Sequence, residues 1–235
     1  MKTEQDFYQG DELTALQEAH HYYTAILSYF APYLGTQVIE VGAGMGTFSN
    51  YLMTCSQISA LTLIEPSDNL FKKLHNRWSC DARVRLVNGY LDAITSYSSS
   101  DSVVLINVLE HCEDDELLLQ AIHRILKPGG ALLLFVPALP FLYGTLDKHF
   151  GHFRRYTKSE LNLRLQKTGF RVVSLRYFNL PGIVTWLLAG KVLKRKSVEA
   201  SHVRIYDRWI MSWISRFERA WEPPLGQSLL AVCTK

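Results

Sequence analysis

Residues 38–48 constrain the fold more than any other stretch of the chain. They join an apolar run, 38–41, to a turn that carries glycine at every second position, Gly42, Gly44 and Gly46. Glycine can adopt a positive φ, and it lets a ligand approach the backbone because no Cβ stands in the way. An apolar strand that runs into such a turn predicts an open α/β sheet with a nucleotide-like ligand at the carboxyl end of this strand.

Further short apolar runs predict more strands of the same sheet. They lie at 60–64, 84–87, 103–107 and 131–136, and the segments between them predict helices and turns. Solid runs of Val, Ile and Leu are typical of strands that are covered on both faces. Because the strands alternate with helices, the sequence predicts a parallel α/β sheet.

The pattern changes in the second half of the chain. Residues 159–167 predict a helix, and Thr157 with Glu160 predicts a capping box at its start. Two more strands are expected at 171–178 and 228–233.

The chain is expected to form a single domain in four consecutive parts. Residues 1–36 predict a helical cover, and residues 37–178 predict the cofactor-binding core. Residues 179–227 show helical periodicity and are too many for a hairpin loop, so they predict a helical insertion or lid. Residues 228–235 supply the last strand.

Composition narrows the class of protein. The chain has 235 residues and a formal net charge of +3, which is too small by itself to indicate a nucleic-acid partner. The four cysteines form no C-x-x-C pair, so they predict reduced thiols and no metal site. The sequence starts without the apolar segment of a signal peptide and contains no run that is long enough to span a bilayer. A cytoplasmic location is therefore expected.

The spacing of the glycines limits the class of ligand that the turn can bind. A dinucleotide site follows G-x-G-x-x-G, whereas the third glycine here, Gly46, comes one residue early. Glu40 lies inside the end of the strand, and its carboxylate would repel a pyrophosphate but attract a ligand ammonium. Both features argue against a nicotinamide-dependent dehydrogenase.

The pattern E-x-G-x-G-x-G at 40–46 resembles motif I of class I S-adenosylmethionine-dependent methyltransferases, and further motifs of that family follow in the same order. Glu65 ends the second strand, residues 87–92 follow the third, residues 107–111 follow the fourth, and a Pro-Gly-Gly turn precedes the fifth. The resemblance implies a Rossmann-like, doubly wound, mostly parallel seven-stranded sheet with an antiparallel last strand and a helical insertion before it.

The resemblance also implies S-adenosylmethionine as the cofactor. In the family, an acid at the position of Glu65 accepts hydrogen bonds from both ribose hydroxyls. Many members have an acid directly after the glycine that follows the third strand, where this chain has Tyr90; either Tyr90 stacks on the adenine or Asp92 reaches its amino group. The cofactor-binding residues that the resemblance implies are Glu40, Gly42, Ala43, Gly44, Gly46, Glu65, Pro66, Gly89, Tyr90, Leu91, Asn107, Val108 and Leu109.

Histidines near the end of the fifth strand are candidates for the chemistry. A hydroxyl acceptor must lose its proton during methyl transfer, and histidine titrates in the useful pH range. His152 or His149 is the candidate general base, with Asp147 as its orienting partner, and His111 is a third candidate. The alternative is that the polar residues after the fifth strand have no catalytic role and only hold their loop in place.

Two neighbouring arginines leave further alternatives. Arg154 or Arg155 could pair with Asp147 or Glu160, or the two could clamp a carboxylate or phosphate of the acceptor. The run Gly-His-Phe-Arg-Arg-Tyr at 151–156 resembles a bacterial subgroup of the family that is often found with glycosyltransferases. This resemblance implies a small-molecule, lipid-type or glycan-type acceptor.

The insertion interleaves tryptophans with basic residues. Between residues 191 and 222 there are eight Lys and Arg residues and four acids. A helical cap with a basic outer face, a lid over a hydrophobic acceptor, and a surface that rests on a membrane with a lipid-linked acceptor all fit this pattern.

Two other functions compete with small-molecule methylation. Amino-methylating nucleic-acid enzymes carry Asp/Asn-Pro-Pro-aromatic after the fourth strand, where this chain has Asn-Val-Leu-Glu at 107–110, and the Pro-Cys nucleophile of cytosine-C5 enzymes is absent from the sequence. A small-molecule acceptor is therefore favoured over nucleic acid. A non-catalytic, S-adenosylmethionine-binding partner protein is the other alternative.

Overall fold

A computed structural model describes residues 11–94, 99–195 and 197–235, with the side chains of residues 11 and 12 left aside. Seven strands form one sheet with the order β3-β2-β1-β4-β5-β7-β6. The strands are β1 (Gln37–Val41), β2 (Ala60–Glu65), β3 (Val84–Asn88), β4 (Ser100–Ile106), β5 (Leu126–Pro137), β6 (Arg171–Phe178) and β7 (Ser228–Thr234).

Helices connect and cover the strands. They are α1 (Asp11–Leu16), α2 (His20–Phe30), α3 (Thr47–Leu52), α4 (Asp68–Trp78), α5 (Asp115–Ile125), α6 (Thr145–His149), α7 (Lys158–Lys167), α8 (Gly182–Trp186), α9 (Ala200–Tyr206) and α10 (Ser212–Ala220). A π-helical segment, Leu187–Val192, continues α8, and a second one, Asp207–Met211, joins α9 to α10. Short 3₁₀ helices occupy Ala31–Tyr33, Leu91–Ala93, Leu109–His111 and Pro140–Leu142. Across the described residues, no helix is both long and apolar enough to cross a membrane.

The strand directions confirm the predicted fold class. Strands β3, β2, β1, β4 and β5 run parallel, while β7 lies antiparallel between β5 and β6. The last strand is therefore antiparallel, and α8–α10 form the helical insertion before it. Since β1 lies between β2 and β4, the strand order reverses at β1. The crevice at its carboxyl end is where open α/β sheets bind ligands.

The core lies on both faces of the sheet. Alternate residues of β5 point to opposite faces. Leu132 and Leu134 pack with α5 and α7 on one face, whereas Leu133 and Phe135 pack with α2 and α3 on the other. The sheet is thus covered on both sides, which explains why its strands read as solid apolar runs.

Two local predictions have different outcomes. Strand β4 begins at Ser100, three residues before the predicted start at Val103, because Ser100 is buried and its hydroxyl donates to the carbonyl of Gln37. The capping box of α7 is confirmed: the hydroxyl of Thr157 accepts from the Glu160 amide, and the Glu160 carboxylate accepts from the Thr157 amide, both at 3.1 Å. Residues 1–10 of the predicted cover and Lys196 of the insertion lie outside the described residues.

Candidate active site

A cavity of about 820 Å³ opens beside the glycine turn at the carboxyl ends of β1 and β4. It extends from Glu65 past His111 and His152 to the α8–α9 region of the insertion. This volume lies within the usual range for a small-molecule site. One cavity therefore connects the expected cofactor site with the residues that are candidates for the chemistry.

The three glycines of the turn have different neighbours, although φ is positive at all three, 68°, 58° and 83° at Gly42, Gly44 and Gly46. A Cβ on Gly42 would lie 2.5 Å from a methyl of Val108, and one on Gly46 would lie 2.7 Å from Nε1 of Trp78. At Gly44 the nearest atom would be 3.5 Å away, and this residue lines the cavity. Gly42 and Gly46 thus allow the turn to pack, while Gly44 faces the ligand space.

Two backbone amides fix the carboxylate of Glu65 in the cavity wall. One carboxylate oxygen accepts from the amide of Gly44 and the other from the amide of Ser67, each at 2.8 Å. Burial raises the pKa of Glu65, and these hydrogen bonds oppose the rise. The Ser67 side chain is a further hydrogen-bond partner of this carboxylate, which has about four acceptor sites in all. The carboxylate is therefore oriented in advance and can still accept hydrogen bonds from a diol.

Glu40 is a buried carboxyl in the cavity wall, and among the described residues no Lys, Arg or His pairs with it. Only 2% of its surface is exposed, and the hydroxyl of Ser49 donates to it at 2.5 Å. Burial raises the pKa of Glu40 to about 8, and the nearby carboxylate of Glu65 adds to the rise. A ligand ammonium would compensate this carboxyl. This site therefore fits the positively charged end of S-adenosylmethionine.

Asn107 has an unusual backbone at the end of β4. Its φ is +52°, and its amide donates to the carbonyl of Phe135 at 2.9 Å. Asparagine tolerates this conformation better than most residues. Such strained positions cluster at functional sites. Here the conformation turns Asn107 and Val108 toward the cavity, which both residues line.

Asp147 organises the other end of the cavity. It is fully buried, and one of its oxygens lies 3.0 Å from Nδ1 of His152 and accepts from Nε of Arg155 at 2.7 Å. Its other oxygen accepts from the amide of Gly144 and from Nε1 of Trp186. Burial opposes ionisation of Asp147, but the hydrogen bond with His152 and the charge of Arg155 lower its pKa. The carboxylate therefore anchors the His152 ring through Nδ1 and leaves Nε2 available.

His152 also belongs to a cluster with Glu110 and His111. Nε2 of His152 lies 4.0 Å from Glu110, and the rings of His111 and His152 meet edge to face at 4.8 Å. Glu110 is fully buried, and its two oxygens have no hydrogen-bond partner among the described residues. Burial raises the pKa of Glu110 to about 7 and lowers that of His111 to about 3. Donor atoms of the three residues lie within 4.8 Å of one another, so this cluster could hold a metal ion.

The structure brings many of the expected residues to the cavity wall, but not all of them. The expected residues that line it are Glu40, Gly42, Ala43, Gly44, Glu65, Pro66, Asn107, Val108, His111 and His152. The expected residues outside this lining are Gly46, Gly89, Tyr90, Leu91, Leu109, Asp147 and His149. Tyr90 and His149 are exposed, whereas Asp147 acts on the cavity through His152.

Sequence reasoning missed other residues of the wall. Tyr22 and Trp186 line the cavity, and the only sequence signal for them was their place in the aromatic cover and the insertion. Of the two arginines, Arg155 also lines the cavity and pairs with Asp147, while Arg154 pairs with Asp115 at 3.1 Å. Both arginines thus hold the loop.

Comparison with known proteins identifies the family of the chain. A family model described as a methyltransferase domain matches residues 15–175. The ubiquinone biosynthesis O-methyltransferase of Xanthomonas oryzae pv. oryzae is 33% identical over 105 residues, which are 43% of this chain and 42% of that protein. The chain thus matches less than half of the length of this relative.

Two solved structures share the fold at low identity. One is a chain of the complex between the Haloferax volcanii Trm112 methyltransferase activator and a methyltransferase, with 18% identity, coverage of 100% and 98%, and a TM-score of 0.68. The other is Haemonchus contortus phosphoethanolamine N-methyltransferase 2 with S-adenosyl-L-methionine, with 21% identity, coverage of 91% and 52%, and a TM-score of 0.62. Since the family model spans more than half of the chain, the protein belongs to the class I methyltransferases, whose cofactor is S-adenosylmethionine.

Proposed function

We propose that the protein methylates a hydroxyl group of a small, hydrophobic acceptor, with His152 as the general base. The observation that carries this proposal is the His152–Asp147 pair at the wall of the cavity that begins at Gly44 and Glu65. Asp147 holds Nδ1, so Nε2 can take the proton from an acceptor hydroxyl. This arrangement favours His152 over His149, which is exposed at the end of α6.

The cofactor is expected to lie at the glycine turn. Glu65 would accept the ribose hydroxyls, Glu40 would face the ammonium group, and Gly44 would leave room for close approach. S-adenosylmethionine, when bound, supplies a methyl group whose bond to sulfur breaks as the acceptor oxygen takes it. The protein aligns the two reactants and excludes water, and alignment alone accounts for about 7–11 kcal/mol in favourable cases. His152 removes the proton that would otherwise remain on the product oxygen.

The insertion end of the cavity supports a hydrophobic acceptor. Leu188, Leu193 and Ile210 line this end. Arg155 and Arg195 are the Lys and Arg residues among the described residues of the whole cavity wall, which is few for a site that binds a nucleic-acid backbone. The name of the Xanthomonas relative, an O-methyltransferase of ubiquinone biosynthesis, supports oxygen as the methylated atom. Lipid-linked acceptors belong to the class that we propose.

Replacement of the two candidate bases tests the proposal. Phenols with and without a prenyl tail serve as acceptors, and the formation of S-adenosylhomocysteine is followed. We expect His152→Ala to bind S-adenosylmethionine like wild type but to transfer methyl about 10²–10⁴-fold more slowly. His149→Ala is the matched control and should stay within a few-fold of wild type. Equal rates for the two variants would remove His152 from the role of base.

The same assay addresses the other functions. If the cofactor binds but no hydroxyl acceptor reacts, while a partner subunit co-purifies, the non-catalytic alternative gains support. Methylation of RNA or DNA in place of the phenols would contradict the proposed acceptor class.

A further inference from the structure

Large apolar side chains project into solvent along one helical face of the insertion. This face is formed by Ile205, Trp209, Trp213 and Phe217 on the helices and by Trp221 directly after α10, which we together call the aromatic face; each residue is between 58% and 66% exposed. Residues four apart lie on the same side of a helix. The π-helical segment between α9 and α10 has more residues per turn, which helps to keep this spacing aligned.

The opposite side of the same helices is held firmly by the body of the protein. The buried carboxylate of Asp207 accepts from the amides of His21 and Tyr22, both at 2.9 Å. The buried carboxylate of Glu218 accepts from the amide of Asn179 at 2.7 Å. These contacts fix α9 and α10 in orientation. The aromatic face therefore lies on the solvent side of helices whose opposite side is anchored to the body of the protein.

The surface around the aromatic face is basic. The exposed bases of this region include Arg204, Arg208, Arg216 and Arg219, in addition to Lys191, Lys194 and Arg195. Two of the four acids between residues 191 and 222, Asp207 and Glu218, are buried in the contacts described above. Arg204 pairs with Glu18 at 3.2 Å and Arg195 lies 3.9 Å from Glu199, while Arg208, Arg216 and Arg219 add positive charge along α10 and the π-helical segment before it. Such a surface complements anionic headgroups.

The aromatic face is continuous with the mouth of the cavity. Leu188, Leu193 and Ile205 all line the cavity, and each of them is also more than one third exposed. Ile205 belongs to both surfaces. An apolar molecule could therefore pass from the aromatic face into the cavity along apolar side chains.

We propose that the aromatic face rests on the surface of an anionic phospholipid bilayer. A helix with aromatic residues on one side and basic residues beside them is typical of helices that lie in the membrane interface. Tryptophan is enriched at this depth of the bilayer. The cavity mouth then opens at the bilayer surface. This last point rests on the proposed function, because it makes the bilayer the source of the hydrophobic acceptor; the binding itself does not depend on the acceptor.

Vesicle flotation without cofactor or acceptor tests the binding. The vesicles contain phosphatidylcholine alone or with about one third phosphatidylglycerol. We expect wild type to float with the anionic vesicles and to be released by high salt, because salt screens the basic residues. The double variant Trp213→Ala/Phe217→Ala should lose at least 10-fold in binding. The matched control, Leu117→Ala/Leu163→Ala, removes exposed leucines from α5 and α7 and should bind like wild type.

Two outcomes would overturn the proposal. The first is equal vesicle binding by wild type and the Trp213→Ala/Phe217→Ala variant when thermal unfolding shows that both are folded. The second is a wild-type dimer that this variant converts to a monomer, because the face would then belong to a second copy of the chain. The rate on a phenol without a prenyl tail is measured separately: a loss of that rate in His152→Ala bears on the proposed function, whereas loss of flotation bears only on the membrane surface.

Discussion

Gly44→Ala separates backbone strain from loss of ligand space. Gly44 has a φ of +58°, so any other residue is strained there. The added Cβ would meet no atom closer than the Leu13 side chain at 3.5 Å, and both Gly44 and Leu13 line the cavity. Gly129 is the matched control: its φ is +76°, nothing lies within 4 Å of a Cβ built on it, and it does not line the cavity. Both substitutions should therefore strain the backbone, but only one should obstruct the cofactor.

The expected magnitudes follow from these contacts. A left-handed conformation costs a residue with a Cβ about 1–2 kcal/mol. In a protein of this size, that lowers the midpoint of thermal unfolding by about 2–8 °C. A methyl group forced against a bound ligand costs about 1–3 kcal/mol more, by analogy with an overpacked core. The affinity of Gly44→Ala for S-adenosylmethionine should then fall about 5- to 150-fold.

Two measurements decide the outcome. Thermal unfolding without cofactor should give similar losses for Gly44→Ala and Gly129→Ala, and calorimetric titration with S-adenosylmethionine should find weaker binding for Gly44→Ala alone. Equal affinities of the two variants would mean that the cofactor does not lie against Gly44. A much larger loss of stability in Gly44→Ala would mean that the turn is packed more tightly than the contacts indicate.

Other outcomes are expected. At pH 7 the Glu40 carboxyl, with a pKa of about 8, is mostly protonated when no ligand is bound. Pairing with the ammonium group of the cofactor ionises this carboxyl and releases its proton. Calorimetry in buffers of different ionisation enthalpy should therefore find that cofactor binding releases more protons from wild type than from Glu40→Gln. Because this pKa lies above the unfolded value, the free energy of unfolding of wild type should fall as pH rises from 4.5 to about 8, and less so in Glu40→Gln. With His152 as the base, methyl transfer should keep its rate in excess EDTA; a loss that a divalent cation reverses would assign Glu110, His111 and His152 to a metal.

The sequence predicts the sheet well because its strands are buried on both faces. The sequence predicts a strand at 171–178, and β6 occupies these residues. The sequence predicts one ligand site for the glycine turn, Glu40 and Glu65, and Gly42 and Gly44 do line one cavity with both acids, whereas Gly46 lies outside its lining. Such features depend on local spacing and on the topology of parallel strands, which a single sequence carries.

The catalytic end depends on contacts that spacing does not encode. His149 and His152 are three residues apart, and their sequence gives no reason to prefer one. In the fold, α6 ends at His149 and leaves it exposed, and then Gly151, with a φ of +76°, turns the chain so that His152 returns to Asp147. The burial of Glu110 is equally hidden, because it arises from the loop that packs onto it from beyond β5.

The hydrogen bonds of Asp207 join α2, near the start of the chain, to the π-helical segment between α9 and α10. Ala19 offers no side-chain cap to α2, so the free amides at the start of α2 depend on a residue 186 positions later. Helix α2 borders the glycine turn, whereas Asp207 follows the helix that borders the cavity mouth. Lifting of α9 would therefore uncap α2. We expect a substitution at the cavity mouth, where the acceptor enters, to change the affinity for the cofactor. Binding of the acceptor and binding of the cofactor should then affect each other by the same factor.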